Sequence, residues 1–283
     1  MDMPYIGAHV SVAGGLYKGI ENAIAIGGNC MQIFGSSPKQ WGTRIPEKED
    51  IEKFRELRKK YDFGPVYLHA AYLANLASDD AKLWHASVTS MAGHLNIAEL
   101  IGADGLIFHT GAGKGSGRAE AMARIKRGVQ RILKDVPGTT KLLMENSAST
   151  KKIGADPKEL GELLRHMNDE RISVCIDTAH AFEAGIIETF DEVGIDRLLN
   201  TLETEIGLRT IEVLHINDSR TIYNSQHDQH ENIGEGHIGL EAFRNLALRA
   251  ELRDKIWITE VPGFDGHGPD QKNMDIIKSC FTV

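Results

Sequence analysis

Histidine and carboxylate residues recur in this chain at one kind of place, the end of a short apolar run. His9 closes Tyr5–His9, His69 closes Val66–His69 and His109 closes Leu106–His109. Glu145-Asn146 follows Lys141–Met144, and Asp177-Thr178-Ala179-His180 follows Ser173–Ile176. His215-Ile216-Asn217-Asp218 ends the run Glu212–Ile216, and Glu260 follows Ile256–Thr259. One such residue is as readily a hydrogen-bonded structural group as a functional one. Brought to a common mouth, however, unpaired imidazoles and carboxylates would be costly neighbours unless metal ions joined them. Imidazole and carboxylate donors without thiolate suit zinc or manganese in a catalytic site. Cys175 stands two residues before Asp177, on the same strand face and one layer deeper, and reads as core filler. Asp228-Gln229-His230 adds two ligand types flanking a single residue, able to chelate one ion from one side while His180 closes it from the neighbouring strand. Several cations in one mouth suit phosphodiester chemistry, because they can hold the phosphate, acidify a water and stabilise a leaving alkoxide. Gly111–Gly117 has the look of a phosphate loop but lacks a Gly-Lys-Ser/Thr ending and a clean opening onto a helix, so it reads as a flexible loop.

The elements that must position these residues follow from the alternation itself. The apolar runs, with Met31–Phe34 as the second of eight, are separated by helix-like segments at 14–27, 47–60, 79–101, 118–135, 156–167, 188–205, 239–250 and 270–280. Asp156-Pro157 reads as an N-cap followed by proline at the first helical position. Gly64-Pro65 and Pro137-Gly138 read as turns before the next strand. Strands alternating with helices predict a parallel sheet, and eight repeats predict one closed (β/α)₈ TIM barrel over residues 1–283. In such a barrel the C-terminal strand ends form a shared mouth, so residues as distant as His69 and Glu260 converge there.

Composition sets limits but does not suggest a substrate. The 283 residues are 41% hydrophobic and 25% charged, as in an ordinary globular protein. No apolar run approaches the ~18–20 residues of a membrane span, and the N-terminal residues lack a basic region followed by an apolar stretch. Cys30, Cys175 and Cys280 are odd in number and unpaired by spacing, which predicts reduced, buried thiols in a cytoplasmic protein. The net charge of −8 opposes a nucleic-acid partner when taken alone. Three divalent ions would bring it to about −2, and charge near the site matters more than the total. No coiled coil or exposed apolar stripe is evident, so a monomer is expected.

Four blocks carry a family resemblance. They are Tyr5-Ile6-Gly7-Ala8-His9-Val10-Ser11 with Ala13-Gly14-Gly15, His69-Ala70-Ala71-Tyr72-Leu73-Ala74-Asn75-Leu76, Val174-Cys175-Ile176-Asp177-Thr178-Ala179-His180, and Leu214-His215-Ile216-Asn217-Asp218-Ser219-Arg220. The last leads through Asp228-Gln229-His230 to Ile233-Gly234-Glu235-Gly236-His237-Ile238-Gly239. On these blocks the chain resembles the endonuclease IV family of zinc-dependent apurinic/apyrimidinic (AP) endonucleases over essentially its whole length. The resemblance implies three zinc ions, with manganese as a possible substitute. His69, His109 and Glu145 would hold the first. Glu145 would bridge to a second, also held by Asp177, His215 and Glu260. His180, Asp228 and His230 would hold the third. It further implies duplex DNA with abasic or 3′-blocked sites as partner. The expected reaction is incision 5′ of the abasic sugar, leaving a 3′-hydroxyl and a 5′-deoxyribose phosphate, with 3′-end trimming beside it. Glu145 would orient the attacking water between the first two ions. Lys39, Tyr72 and Leu73, with Gln40 and Trp41 beside them, would enter the minor groove while the abasic nucleotide flips out; a site that has lost its stacking flips at lower cost.

The chain departs from that family at several positions. Ala179 stands where cysteine is usual, Gln229 where a basic residue is usual, Lys39 where arginine is usual and Thr110 where proline is usual. Lys39 lacks the planar guanidinium that stacks. The loop after Glu145 reads Ser147-Ala148-Ser149-Thr150-Lys151-Lys152 rather than glycine-rich, and Lys151 and Lys152 are expected to make up for a phosphate contact missing at Gln229. The alternative reading is a sugar isomerase or epimerase on the same barrel, holding one ion with Glu145, Asp177, His215 and Glu260. That reading leaves His69, His109, His180, Asp228 and His230 without an evident use. A non-catalytic DNA-binding module would not need so many ionisable residues in one mouth.

Overall fold

Each apolar run supplies a strand, and together the strands close. The computed structural model describes residues 3–115 and 117–282. The first seven barrel strands are β1 (Ile6–His9), β2 (Cys30–Phe34), β3 (Val66–His69), β4 (Gly105–His109), β5 (Lys141–Glu145), β6 (Ile172–Asp177) and β7 (Ile211–His215). The eighth is β10 (Ile256–Thr259), and all pair in parallel in the closed order β1-β10-β7-β6-β5-β4-β3-β2. A parallel neighbour needs a crossover, and helices supply it on the outside. These are α1 (Tyr17–Ala25), α2 (Lys48–Lys60), α3 (Ala81–Ile101), α4 (Arg118–Asp135), α5 (Pro157–Met167), α7 (Glu192–Glu205), α8 (Leu240–Ala247) with the short α9 (Ala250–Arg253) after it, and α10 (Gln271–Ser279). The expected cap at α5 is present, with Asp156 accepting from Lys158 N–H (2.9 Å) ahead of Pro157. The expected loop after β4 carries no strand or helix at 110–115; Ser116 lies outside the described residues, and α4 opens at Arg118.

Two apolar layers hold the barrel. The larger lies between sheet and helices, with Leu68, Leu106, Leu142 and Val174 facing residues such as Met91, Ile125 and Leu160. The smaller fills the barrel itself with Cys30, Tyr67, Ile107, Leu143, Cys175, Val213, Ile256 and Ile258. Alternation therefore sends one residue out to the helices and the next into the barrel. Gly7 is required on that inner side, because a Cβ there would lie 2.0 Å from the Cys30 carbonyl oxygen. All three cysteines are buried and free, as expected.

Three local expectations are corrected. Strands β5 and β6 run one residue further than the apolar runs, so Glu145 and Asp177 are strand residues rather than the first residues beyond. His180 does not come from a strand: Thr178–Glu183 forms a short helix, α6. The segment after β7 is not a plain loop, because β8 (Asp218–Ser219) and β9 (His230–Glu231) pair antiparallel. Among the described residues no helix is long and apolar enough to cross a membrane.

Candidate metal centre

Strand parity puts the inward-facing end residues at one mouth. The mouth is a cavity of about 540 Å³ lined in part by His9, His69, His109, His180, Asp228, His230 and Glu260. Three sets of donor atoms lie there, each set within 4.8 Å of one another: His69, His109 and Glu145; Glu145, Asp177, His215 and Glu260; and Asp177, His180 and His230. Glu145 is common to the first two sets and Asp177 to the last two. Asp228 joins the third set, with its Oδ1 3.2 Å from His180 Nε2 and 3.6 Å from His230 Nε2. The fold thus brings together all nine residues singled out in the sequence, and places Asp177 beside the His180–Asp228–His230 group as well.

Backbone and amide partners decide which nitrogen of each imidazole faces inward. His69 Nδ1 lies 2.8 Å from the Ala70 carbonyl and His180 Nδ1 2.8 Å from the Asn146 carbonyl. A carbonyl only accepts, so both Nδ1 atoms carry the proton and both Nε2 lone pairs face the mouth. Gln32 does the reverse for His215. Its amide nitrogen donates to Glu260 (2.5 Å), so its oxygen takes the proton of His215 Nε2 (2.8 Å). His215 Nδ1 is left 2.9 Å from Glu145 Oε1 and 3.2 Å from Glu260 Oε2. Asp177 is held equally closely. Its Oδ1 caps α6 by accepting from His180 N–H (2.9 Å), and Asn217 donates to its Oδ2 (2.7 Å). Asn146 and the Asp177 backbone exchange two hydrogen bonds (2.6 and 3.1 Å), and Asn217 Oδ1 accepts from Glu260 N–H (2.7 Å).

The electrostatics leave cations wanting. Ion pairs of Glu145, Asp177, Asp228 and Glu260 among the described residues run to histidines, apart from Lys152, whose Nζ is 4.0 Å from Asp228 Oδ2. Burial opposes ionisation of Glu145, yet the His215 and His69 imidazoles hydrogen-bonded to it outweigh burial and hold the carboxyl well below its usual range. Burial also pushes His109 down to about 4, against the pull of Glu145, so its imidazole is neutral with a lone pair to offer. His109 Nδ1 and His230 Nε2 are buried with no hydrogen-bond partner, and both point at carboxylates: His109 Nδ1 is 3.3 Å from Glu145, and His230 Nε2 is 3.7 Å from Asp177. A buried acceptor left bare beside an ionised carboxylate is unfavourable without a cation between them. Five imidazoles, four carboxylates and no thiolate fit divalent zinc or manganese. Burial raises the Cys175 thiol to about 12, consistent with its reading as filler.

Of the residues expected to touch DNA, Tyr72 lines the mouth and Lys152 reaches Asp228 at its edge. Tyr72 is 62% exposed, and its ring packs edge-on against Phe34 (5.4 Å) and lies 5.8 Å from His69. Leu73 and Trp41 are each 38% exposed, and Lys39, Gln40 and Lys151 are also exposed. Sequence reasoning missed the residues that orient the ligands. Gln32, Asn146 and Asn217 are all buried polar groups. Asn146 and Asn217 stood in the motifs already singled out, adjacent to predicted ligands. Gln32 gave no such signal beyond a polar residue inside an apolar run.

Relatives at 33–36% identity carry the name endonuclease 4, whereas sugar epimerases share only the fold, as with a 3-keto-D-glucoside 4-epimerase from E. coli at 13% identity and a TM-score of 0.70. Residues 20–280 match the family model described as a xylose isomerase-like TIM barrel. A probable endonuclease 4 from Halothermothrix orenii is 36% identical over 275 residues, covering 96% of this chain and 99% of that protein. Endonuclease 4 of Thermus thermophilus is 36% identical over 284 residues, covering 98% of each. A crystal structure of endonuclease IV from Thermus thermophilus superposes with a TM-score of 0.86 at 33% identity, covering 99% of both chains.

Proposed function

Since the chain belongs to the endonuclease IV branch of the xylose isomerase-like TIM barrels, we propose that it is a DNA-repair endonuclease that hydrolyses the phosphodiester 5′ to abasic sites. The products are a 3′-hydroxyl and a 5′-deoxyribose phosphate, and the same site trims blocked 3′ ends. One observation carries this reading furthest: His69, His109, His180, Asp228 and His230 converge on the same mouth as the Glu145–Asp177–His215–Glu260 group, which alone would serve a one-metal sugar isomerase.

His69, His109 and Glu145 hold one zinc, Glu145, Asp177, His215 and Glu260 a second, and His180, Asp228 and His230 a third. When bound, these ions supply the phosphate clamp, the acidified water and the charge that stabilises the leaving 3′ oxygen. Glu145 lies at the centre of the cluster, with His69, His109 and His215 within 3.3 Å of its two oxygens, and orients the attacking water. Gln32 and the Ala70 and Asn146 carbonyls keep the imidazoles in the ligating tautomer. Lys39, Tyr72 and Leu73 enter the minor groove, with Gln40 and Trp41 beside them, while the abasic nucleotide swings into the mouth. Lys151 and Lys152 meet the phosphates.

Elemental analysis of the purified protein, run beside cleavage of a duplex carrying one abasic analogue, tests the proposal. About three zinc ions per chain and chelator-sensitive nicking 5′ of the lesion are expected. One metal per chain, with no nicking after zinc or manganese is restored, would overturn it in favour of the isomerase.

A further inference from the structure

Glu183 belongs to none of the three donor sets, yet three mouth segments meet on it. It lies at the end of α6, three residues beyond His180, and its side chain is fully buried (0% exposed). Its Oε1 accepts from Ser219 Oγ (2.6 Å), Thr221 Oγ1 (3.3 Å) and the Gln229 backbone N–H (3.2 Å). Gln229 is the residue between Asp228 and His230, so that last bond pins the backbone of the pair. The Glu183 carbonyl also accepts from Gln226, through its N–H (3.0 Å) and its Nε2 (3.4 Å). Gln226 Oε1 in turn accepts from Thr150 N–H (2.7 Å) and Oγ1 (2.9 Å), in the segment that leads to Lys151 and Lys152.

This hub answers a problem the third set poses. His180 sits on α6, whereas Asp228 and His230 sit beyond a turn-rich connection in which Asn224 and Gln226 take left-handed conformations (φ 57° and 65°). Asp228 is itself 38% exposed at its side chain. Donors on two separate elements chelate one ion tightly only if the elements are locked together; otherwise the entropy lost in ordering the loop weakens binding. A carboxylate buried with only one oxygen partnered is a poor choice for plain packing: Glu183 Oε2 has no hydrogen-bond partner. We infer that Glu183 is a positioning residue for the third metal-binding group, locking the Asp228–His230 loop onto the helix that carries His180. The inference rests on the proposal that those three residues hold an ion.

The test is zinc titration of the metal-stripped protein against a competing chromophoric chelator, for wild type, E183A, E183Q, Q226A and D228A. E183A should weaken one zinc of the three by about 10–100-fold, the range for residues that orient ligands, and leave the other two unchanged. E183Q keeps the Oε1 acceptor and should restore that affinity. Q226A, at the surface of the same hub, should weaken the same single zinc by less, and it serves if E183A does not fold. Wild-type affinity for all three ions in E183A and Q226A, or a uniform loss of all three, would overturn the positioning role. Failure of E183Q to restore affinity would overturn it too, pointing to charge rather than tethering. D228A separates the two levels. If it removes one zinc while E183A removes none, only the role of Glu183 falls. If D228A neither removes nor weakens any zinc, the third group as proposed holds no ion and both readings fall.

Discussion

The two ends of the barrel interior hold the same kinds of residue under opposite conditions. Strand β5 sends Lys141, Leu143 and Glu145 inward in turn, so one strand serves the base, the middle and the mouth. At the base the charges answer one another. Lys141 Nζ lies 2.5 Å from Glu212 Oε2, and Tyr67 Oη donates to Glu212 Oε1 (2.8 Å). Glu212 reaches them because the β6–β7 register skips it: Val174 faces Ile211 and Cys175 faces Val213, a bulge that re-aims one side chain. At the mouth, by contrast, four carboxylates and six imidazoles, His9 included, stand together, with Lys152 at the rim as the carboxylates' one lysine or arginine partner among the described residues. The base neutralises its own charges. On the proposed function the mouth would be neutralised by divalent ions, which would link metal affinity to folding stability at that end of the barrel and not at the other.

The largest expected effect breaks the mouth. E145Q removes the carboxylate common to two donor sets, and cleavage of an abasic duplex should fall by on the order of 10³-fold or more in single-turnover assays, with loss of bound zinc by elemental analysis. Unchanged zinc content would show that the two sets do not share Glu145. Next comes the rim. Replacing Lys151 and Lys152 together with alanine should lower the slope of log affinity against log salt by about 2 for duplex DNA, and leave zinc content intact. An unchanged slope would remove both lysines from the DNA contact. The base should respond only in stability. E212Q should cost about 1 kcal/mol in urea unfolding, discounted because Lys141 is partly exposed, with cleavage and zinc affinity as in wild type.

An effect confined to low pH concerns His94 on α3, buried with neither ring nitrogen partnered and held down to about 4 by burial. A folded-state value below the ordinary 6.5 means the unfolded chain binds the extra proton first, so stability present above pH 6.5 is lost as pH falls toward 4. H94L removes that dependence. The Tm of metal-stripped wild type should therefore drop relative to H94L across that window, whereas above it the two should differ little. Parallel curves would mean that His94 is not buried as a neutral group.

Much of this was legible in the sequence because a (β/α)₈ barrel couples pattern to position so tightly. Apolar runs four or five residues long, separated by helix-length segments, already imply a parallel barrel, and the barrel rule alone places strand-end residues at one mouth. Less legible were features that depend on contacts between distant segments. The helix α6 needs only Asp177 as its N-cap, but six residues carry too little periodicity to announce it. The β8–β9 ribbon pairs Asp218 with Glu231 and Ser219 with His230, a register set by where β7 and the eighth strand deliver the chain.

By itself, then, the sequence determined the types and spacing of the candidate metal donors and most of the strands that carry them, since those follow from periodicity and side-chain chemistry. Only the tertiary structure decided how the donors divide and which atom of each faces the mouth. That Asp177 both caps a helix and faces His215 and His230 follows from three elements meeting, not from any local pattern. Gln32 sets the tautomer of His215 from 183 positions away, and Glu183 joins α6 to a loop whose pinned residue lies 46 positions on. Hydrogen bonds of that range are made only when the barrel closes, because closure is what brings their donors and acceptors within reach.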